Sequence, residues 1–468
     1  MSLNKLYSLI NTLDKREIRQ IRKLLRSPFF TRREDLPRLF ACLSTRRWAQ
    51  RPLPDREEAH EQSFPGQPYD DLRLRGSMSD LLALIEEYLL IAHHRQSAVD
   101  NRLLLANIYR RRGLPRHFDS CMKKAHQLLE NNQERNVDHF SKLQEYQVLQ
   151  MQFQTQTRRT GQLNLQEIAD TIDAHYLMKK LRHACTQLTH QAVYKTTYSY
   201  GLLPRLLEDI ESGGYLGYPA VATYYYCYRF LTEHYSLDYF QQFRLQLQEN
   251  RARFPEEELK DLYLLAINFC IRQMNAGSEP FARQVWELYQ EGLEVGFLLE
   301  AGRLSHFTFN NVVAISIQMK EYIWLEQFIE AYQHRLEQAY RDSTVSFNRA
   351  RLEYARGDYQ KAMLLLQTSE YKDLVNNLIS KTLLLKICYE LEEFDLLESH
   401  LDSLNSFIRR REVSDYHRSN YLNIIRLVRK LMAMEAFDRK KREQLRVEIA
   451  GTAILSEREW LLEQCGKK

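Results

Sequence analysis

Apolar residues recur every three or four positions along most of this 468-residue chain, which is the spacing of one face of an α-helix. The pattern stops at short turns and then resumes. Residues 102–130 show this arrangement around a turn at 113–115, and residues 262–293 show it around a turn at 275–280. Residues 221–248 have a similar pattern. The periodicity therefore predicts pairs of helices joined by turns.

An aromatic residue follows the turn in each of three C-terminal segments. These residues are Tyr322, Tyr359 and Phe394, at intervals of 37 and 35 residues. Tyr239 and Phe281 hold comparable positions upstream, at longer intervals of 42 and 41 residues. A repeat near 35 residues is one helical hairpin long, and a single hairpin cannot bury both of its faces. Stacked hairpins solve this problem, so the spacing predicts an α-solenoid.

One repeat resembles the tetratricopeptide family on its own motif. Its sequence is NRARLEYARGDYQKAMLLL, residues 348–366. The resemblance implies that a first helix ends at Gly357, a residue type suited to the left-handed conformation that closes helices. It also implies that Tyr359 packs back on this helix. Ala350 and Ala362 take the two small positions of the family pattern, and Ala362 lies where the two helices cross closely.

The resemblance is partial. Arg349 stands where an apolar residue is expected. The next unit keeps the aromatic residue as Phe394, but it has Glu392 in place of the glycine and Leu397 in place of the alanine. The longer upstream intervals are typical of diverged repeats or of helical pairs of another α-solenoid type.

A second resemblance covers the whole chain. The stretches SPFFTRREDLPRLF, FPGQPYDDLRLRGSMSDLLALIEEYL and EREWLLEQ are similar to a family of uncharacterised bacterial proteins, typical of Bacteroidota, of about this length. This resemblance implies an intracellular helical-repeat protein and supplies no activity.

These patterns divide the chain into five predicted segments. Four of the eleven prolines fall between positions 52 and 68, which predicts a linker there. The predicted segments are a basic helical N-terminal segment (1–50), a proline-containing linker (51–79), diverged helical hairpins (80–315), tetratricopeptide-like repeats (316–411) and C-terminal capping helices (412–468).

Composition supports an all-α fold class. Glycine and proline together contribute only 15 + 11 = 26 residues, too few for the frequent turns of a strand-rich protein. The seven cysteines are scattered and form no CxxC pair, as expected of reduced side chains in a cytoplasmic protein. Neither a signal peptide nor a transmembrane segment is predicted, since the most apolar run, residues 81–92, is short and interrupted by Glu86 and Glu87.

Positive charge is concentrated at the N-terminus. Residues 1–51 hold 13 Lys and Arg against 4 Asp and Glu, a net +9, whereas the whole chain carries +5. Asp14 and Glu17 form a capping box that starts a helix. One side of this helix is cationic, and its residues are Lys15, Arg19, Arg22, Lys23 and Arg26.

Four interpretations of this cationic side stay open. It is a solvated face that favours solubility, or it meets nucleic-acid phosphates, an acidic protein or anionic lipid heads. Aromatic residues that can stack on bases are limited nearby to Phe29, Phe30 and Trp48.

Motifs for catalysis or cofactor binding are missing from the sequence. It contains no G-x-x-x-x-G-K-[ST], no G-x-G-x-x-G and no H-E-x-x-H. His183 and His190 are two helical turns apart, too far to share one metal ion. The glycine-rich stretch 211–219 is best explained as a loop between helices. We therefore predict no catalytic, cofactor-binding or metal-binding residues, and we expect a protein that is not an enzyme.

The leading hypothesis is a cytoplasmic scaffold whose solenoid groove binds a peptide or protein. Tyr and Phe side chains would anchor the guest, and Arg, Lys and Gln would make polar contacts. The alternative is a nucleic-acid-binding protein that uses the basic N-terminal helix, with the solenoid as a recruitment or regulatory module.

Overall fold

The chain is all-α. A computed structural model describes it over residues 3–48, 52–157, 160–194, 196–233, 237–275, 280–367, 374–410, 415–434 and 439–467. These residues form 23 α-helices, three short 3-10 helices and one two-stranded hairpin. Two compact units divide the chain, Met1–Phe254 and Pro255–Lys468. The predicted segment 80–315 is thus split between two units.

The first unit contains twelve of the described α-helices. They are α1 (Leu3–Thr12), α2 (Lys15–Leu25), α3 (Asp35–Trp48), α4 (Arg56–Ser63), α5 (Asp71–Gln96), α6 (Ala98–Arg111), α7 (Pro115–Asn131), α8 (Val137–Thr157), α9 (Leu165–Tyr194), α10 (Leu203–Ser212), α11 (Pro219–Thr232) and α12 (Leu237–Glu249). Two 3-10 helices, Tyr215–Gly217 and Arg251–Arg253, lie between or after them.

The second unit contains the other eleven. They are α13 (Glu256–Asn275), α14 (Pro280–Val295), α15 (His306–Gln318), α16 (Tyr322–Tyr332), α17 (Gln338–Arg356), α18 (Tyr359–Gln367), α19 (Leu374–Glu390), α20 (Phe394–Arg410), α21 (Asp415–Met432), α22 (Arg439–Gly451) and α23 (Arg458–Lys467). The 3-10 helix Gln333–Arg335 follows α16. The predicted turn at 275–280 lies largely outside the described residues, since 276–279 are not among them, and the predicted boundary at 411/412 lies outside them as well.

Helices α1 to α5 form one bundle around a shared apolar core. The predicted linker, 51–79, differs from its prediction, because its described part contains α4 and the first turns of α5. Ala59, Leu74 and Met78 from this segment are buried in the bundle core. The prolines mark helix ends instead of an unstructured stretch: Pro52 and Pro54 precede α4, and Pro65 and Pro68 separate α4 from α5.

Three turns of the second unit have the same backbone geometry. Lys320, Gly357 and Glu392 each have a positive φ, of 58°, 85° and 58°. Each lies two residues before the first residue of the next helix, which is Tyr322, Tyr359 or Phe394. The aromatic spacing therefore coincides with a repeated left-handed helix ending, whatever residue occupies that position.

The hydrogen bonds of these turns are also shared. The N–H after each left-handed residue donates to the carbonyl five residues back: Glu321 to Ser316 (2.9 Å), Asp358 to Glu353 (3.0 Å) and Glu393 to Cys388 (2.9 Å). This is the 6→1 bond of a Schellman motif. In the first unit, the turn between α6 and α7 matches, since Gly113 has φ 65° and Leu114 donates to Tyr109 at 3.0 Å.

Replacing Gly357 with alanine is expected to destabilise the α17–α18 pair by about 1 kcal/mol, because a Cβ is unfavourable at positive φ. A Cβ here meets no atom within 4 Å, so the cost is one of backbone conformation. Gly451→Ala, at a position without positive φ or steric contact, is the control and should be neutral or slightly stabilising. Hydrogen exchange of α17 and α18 measures the difference, and equal effects of the two changes would contradict the assignment.

The two small residues of the α17–α18 pair that the sequence analysis singled out lie in its core. Ala350 and Ala362 are fully buried in one apolar cluster with Phe347 and Ile387. Tyr359 is half-buried, and its ring centroid lies 5.3 Å from that of Tyr354 on α17. The first and second helices of this pair are therefore in contact through an aromatic pair at the turn.

Phe394 is more exposed, at 37%, and its ring centroid is 6.0 Å from that of Tyr389.

Upstream, a hairpin of two-residue strands, β1 (Leu299–Glu300) and β2 (Arg303–Leu304), precedes α15. Ala301 and Gly302 both have positive φ, which is the two-residue turn that suits such hairpins.

Helices in the second unit contact near neighbours in the sequence. Each of α13, α15, α17 and α19 packs on the helix that follows it, and α15 and α19 both pack on α17. This pattern is compatible with a helical-repeat fold, in which each hairpin touches only adjacent ones.

Within the described ranges, no helix has both the length and the apolar character needed to cross a bilayer.

Candidate functional site

A cavity of about 320 Å³ opens along the first helices of three successive pairs, α15, α17 and α19. We call it the first-helix cavity. Its lining residues are Ile317, Phe347, Arg351, Tyr354, Ala355, Ile379, Leu383, Lys386 and Glu457. Glu457 comes from the segment before α23, and the rest come from the three helices.

Arg351 is the central polar group of this cavity. Its Nη1 donates to the backbone carbonyl of Asn310 at 3.3 Å and to Oδ1 of Asn348 at 3.2 Å. Its guanidinium carbon lies 5.5 Å from the Phe347 ring centroid. Burial lowers the pKa of Arg351 to about 10, opposed by the charge of Glu457. The side chain is therefore still cationic at neutral pH, and no carboxylate of the described residues forms an ion pair with it.

Lys386, unlike Arg351, forms an ion pair within the cavity. Its Nζ lies 2.8 Å from Oε2 of Glu457 and 5.1 Å from the ring centroid of Tyr354. Because Glu457 neutralises Lys386, the cavity keeps one net positive charge, on Arg351.

The remaining walls are apolar. Phe347 and Leu383 are buried, and Ile379 is 41% exposed at the cavity. Burial, followed by the charge of Glu390, raises the pKa of the Tyr354 phenol, so this hydroxyl stays protonated. The cavity thus offers apolar contact and one cation, and its lining lacks a paired nucleophile and base.

The predicted basic helix is confirmed as an amphipathic helix with a capping box. Glu17 donates its N–H to Oδ1 of Asp14, and Asp14 donates its N–H to Oε2 of Glu17, both at 2.7 Å. The apolar side of α2, which includes Ile18 and Ile21, is buried in the bundle core. The predicted binding residues are all exposed on the other side: Lys15, Arg19, Arg22, Lys23 and Arg26.

A second cavity, of about 740 Å³, lies at the end of α2 and the start of α3. We call it the arginine cavity. Among the five predicted cationic residues, only Arg26 lines it. The full lining is Leu25, Arg26, Pro28, Thr31, Arg32, Arg33, Glu34, Pro37 and Arg38.

Sequence reasoning missed Arg32, Arg33 and Arg38 as neighbours of Arg26. The sequence feature that could have indicated this cluster is the high density of charged residues in 32–38. Periodicity alone does not show that the turn at 27–34 brings the end of α2 close to the start of α3. Arg22 turns toward α3 instead and donates to Oγ of Ser44 at 3.2 Å. The Trp48 side chain lies outside the described part of the structure.

One of the two histidines singled out in the sequence has aromatic neighbours. His190 hydrogen-bonds the hydroxyl of Tyr198 at 2.8 Å and stacks on Tyr194. Among the described residues, no three His, Cys, Asp or Glu side chains are grouped closely enough to hold a metal ion.

Comparison with known proteins returned no matching family model, no matching curated protein and no matching solved structure.

Proposed function

We propose that this chain is a non-enzymatic scaffold that binds a peptide segment of a partner protein in the first-helix cavity. The fold would be a tetratricopeptide-like α-solenoid, related to the bacterial helical-repeat proteins that the sequence resembles, and it would act in the cytoplasm. The observation that carries this proposal is a cationic Arg351 that forms no ion pair with any described carboxylate, beside apolar side chains of three successive first helices.

The repeated turns support the solenoid. In stacked helical hairpins, the first helices lie side by side and line one surface. The packing of α17 against both α15 and α19 is the local arrangement that such a surface requires. A peptide lying across these helices would pass Ile317 of α15, Arg351 of α17 and Ile379 of α19 in turn.

The chemistry of the cavity favours a guest with a carboxylate beside an apolar side chain. A guanidinium presents a planar fork of donors that matches a carboxylate. Part of the Arg351 donor set is used by Asn310 and Asn348, and its charge is not neutralised. An aspartate or glutamate side chain of the guest would neutralise the positive charge of Arg351. Ile379 and Leu383 would contact the adjacent apolar residue of the guest.

The test is a selection from a displayed peptide library against the full chain, followed by fluorescence polarisation with the enriched peptides. We expect enrichment of an acidic residue at a fixed distance from an apolar one. Arg351→Met should weaken binding at least tenfold, as loss of a charge-assisted hydrogen bond of about 1.5–3 kcal/mol implies. The change should not unfold the chain, because an apolar residue of similar length replaces a half-buried charge that has no ion-pair partner among the described residues.

The matched control is Arg349→Met, on the same helix. Arg349 lies outside the cavity lining and forms an ion pair with Glu330. Its loss should leave peptide affinity within twofold of the unmodified chain. Failure to enrich any peptide, or equal affinity of the Arg351→Met chain, would remove the proposal.

A further inference from the structure

We propose that the arginine cavity and the exposed side of α2 bind single-stranded nucleic acid, with phosphates at the arginines and a base stacked on Phe29. This site lies within the Met1–Phe254 unit. The site uses no residue of the first-helix cavity. The nucleic-acid proposal is therefore tested independently of the peptide-binding proposal.

The charge of the cavity is unbalanced. Four arginines line it against one glutamate. Two of the arginines are neutralised: Arg33 pairs with Asp35 at 2.6 Å and also with Asp80, and Arg38 pairs with Glu34 at 2.7 Å. Arg26 and Arg32 have no acidic partner among the described residues, so their charges are left for an anion.

The cationic surface continues beyond the cavity along α2. Arg19, Lys23 and Arg26 are exposed at helical spacings of four and three residues, which places them in one row. At 1.5 Å per residue, the row is about 10 Å long. A stacked strand carries one phosphate per about 3.4 Å, so the row matches roughly three phosphate intervals. A concave end with net positive charge strengthens the local potential.

The exposed ring of Phe29 favours nucleic acid over other anions as the ligand of this site. Its side chain is 88% exposed, at the tip of the turn between α2 and α3. The turn is fixed, since Phe30 and Thr31 both donate their N–H to the carbonyl of Ser27, at 3.1 and 3.2 Å. Phe30 is half-buried against the bundle core and meets Phe29 edge-on at 5.1 Å. The Phe30 ring anchors the turn, and the Phe29 ring is left exposed next to Pro28, a residue of the cavity lining.

Two related ligands fit less well. Insertion into an anionic membrane uses several apolar side chains on one face, and Phe29 is the only exposed large apolar residue among the described side chains of residues 3–48. A duplex offers phosphates but keeps its base faces stacked, whereas a single strand offers both phosphates and free base faces. The pairing of an exposed ring with unpaired arginines therefore favours a single strand.

The test is fluorescence anisotropy of the full chain with a labelled 20-nucleotide dT strand and the matching RNA, at 50 to 300 mM salt. We expect a micromolar Kd at 50 mM salt and a slope of log affinity against log salt near −3, as for about four phosphate contacts on a single strand. The double change Arg26→Glu with Arg32→Glu should weaken binding at least thirtyfold and reduce the slope to about −1.5. Phe29→Ala should weaken binding about tenfold and keep the slope, because stacking releases no counterions.

The matched control is Arg116→Glu with Lys123→Glu on α7. Both residues are exposed in the same unit, seven positions apart, and the change in net charge is identical. This control should keep at least a third of the affinity. The proposal is overturned if no binding appears below 100 µM at 50 mM salt, if the control weakens binding as much as the cavity variant, if a 20-base-pair duplex binds as well, or if phosphatidylserine vesicles bind while the single strand does not.

Discussion

Replacing Trp460 with alanine is expected to lower the local stability of the C-terminal helices by about 3–5 kcal/mol, the cost of deleting a buried aromatic side chain. Trp460 is only 8% exposed and belongs to the apolar cluster that joins α19 to α23. Its ring meets Tyr389 edge-on at 5.5 Å, and its Nε1–H donates to Oε1 of Glu390 at 3.0 Å. The substitution therefore removes both a large apolar contact and a hydrogen bond to a half-buried carboxylate.

Hydrogen exchange is the suitable measurement, because it reports each segment separately in a chain of two units. Amides of α21 and α23 should exchange roughly 150- to 5,000-fold faster, since each 1.4 kcal/mol is a factor of about ten, whereas those of α1 to α5 should be unchanged. Trp460→Phe, which keeps most of the packing, should have a smaller effect, of about 1–2 kcal/mol. The exposed Val447 of α22 provides the control, since Val447→Ala should change exchange little. Unchanged protection of α21 and α23 in the Trp460→Ala chain would contradict the stabilising role assigned to the Trp460 side chain.

Acidification from pH 7 to pH 4 is expected to destabilise the region around α8 by about 3 kcal/mol through His139 alone. The imidazole is buried, and its Nδ1 has no hydrogen-bond partner among the described residues. Burial lowers the pKa of His139 to about 4, and the charges of Arg135 and Lys142 add to this effect against an opposing contribution from Glu130.

The sign follows from proton binding. The unfolded chain protonates this imidazole near its ordinary pKa of about 6.5, whereas the folded chain keeps it neutral down to about pH 4. Between these values the unfolded state binds the extra proton, so stability is complete above pH 6.5 and falls as pH decreases. His139→Leu removes the titrating group and should flatten this part of the profile.

Hydrogen exchange of α8 amides at pH 7, 6, 5 and 4, corrected for the intrinsic pH dependence, measures the effect. His117→Leu, which removes an exposed imidazole of α7, is the matched control and should keep the acid sensitivity of the unmodified chain. A His139→Leu chain that loses as much stability on acidification as the control would contradict the assignment to His139.

Local signals in the sequence were enough for the class of fold and for many helix ends. Helical periodicity and the shortage of glycine and proline predicted an all-α chain, which the structure shows. The capping box of Asp14 and Glu17 is confirmed as well. Signals of this kind act within one or two turns of the chain, so the residues that carry them are adjacent in the sequence and can be recognised there.

Other features were hidden because the residue type does not reveal the backbone conformation. Gly357 was recognisable as a helix ending, but Lys320 and Glu392 adopt the same left-handed conformation without a glycine. Their conformation is imposed by the helix pairs on either side, at an energetic cost that packing offsets. The segment 51–79 was misjudged for a related reason: its prolines bound helices, and only the bundle core shows that Leu74 and Met78 are needed there.

The sequence alone determined that this protein is helical, that an aromatic residue recurs at intervals of 37 and 35 residues near the C-terminus, and that positive charge is concentrated at one end. The tertiary structure decided which charges are left unpaired. Arg351 and Arg349 are two residues apart, yet one lines an apolar cavity and the other pairs with Glu330. Pairing depends on which side chains distant helices bring within a few ångströms, and that distance is fixed by packing across the fold.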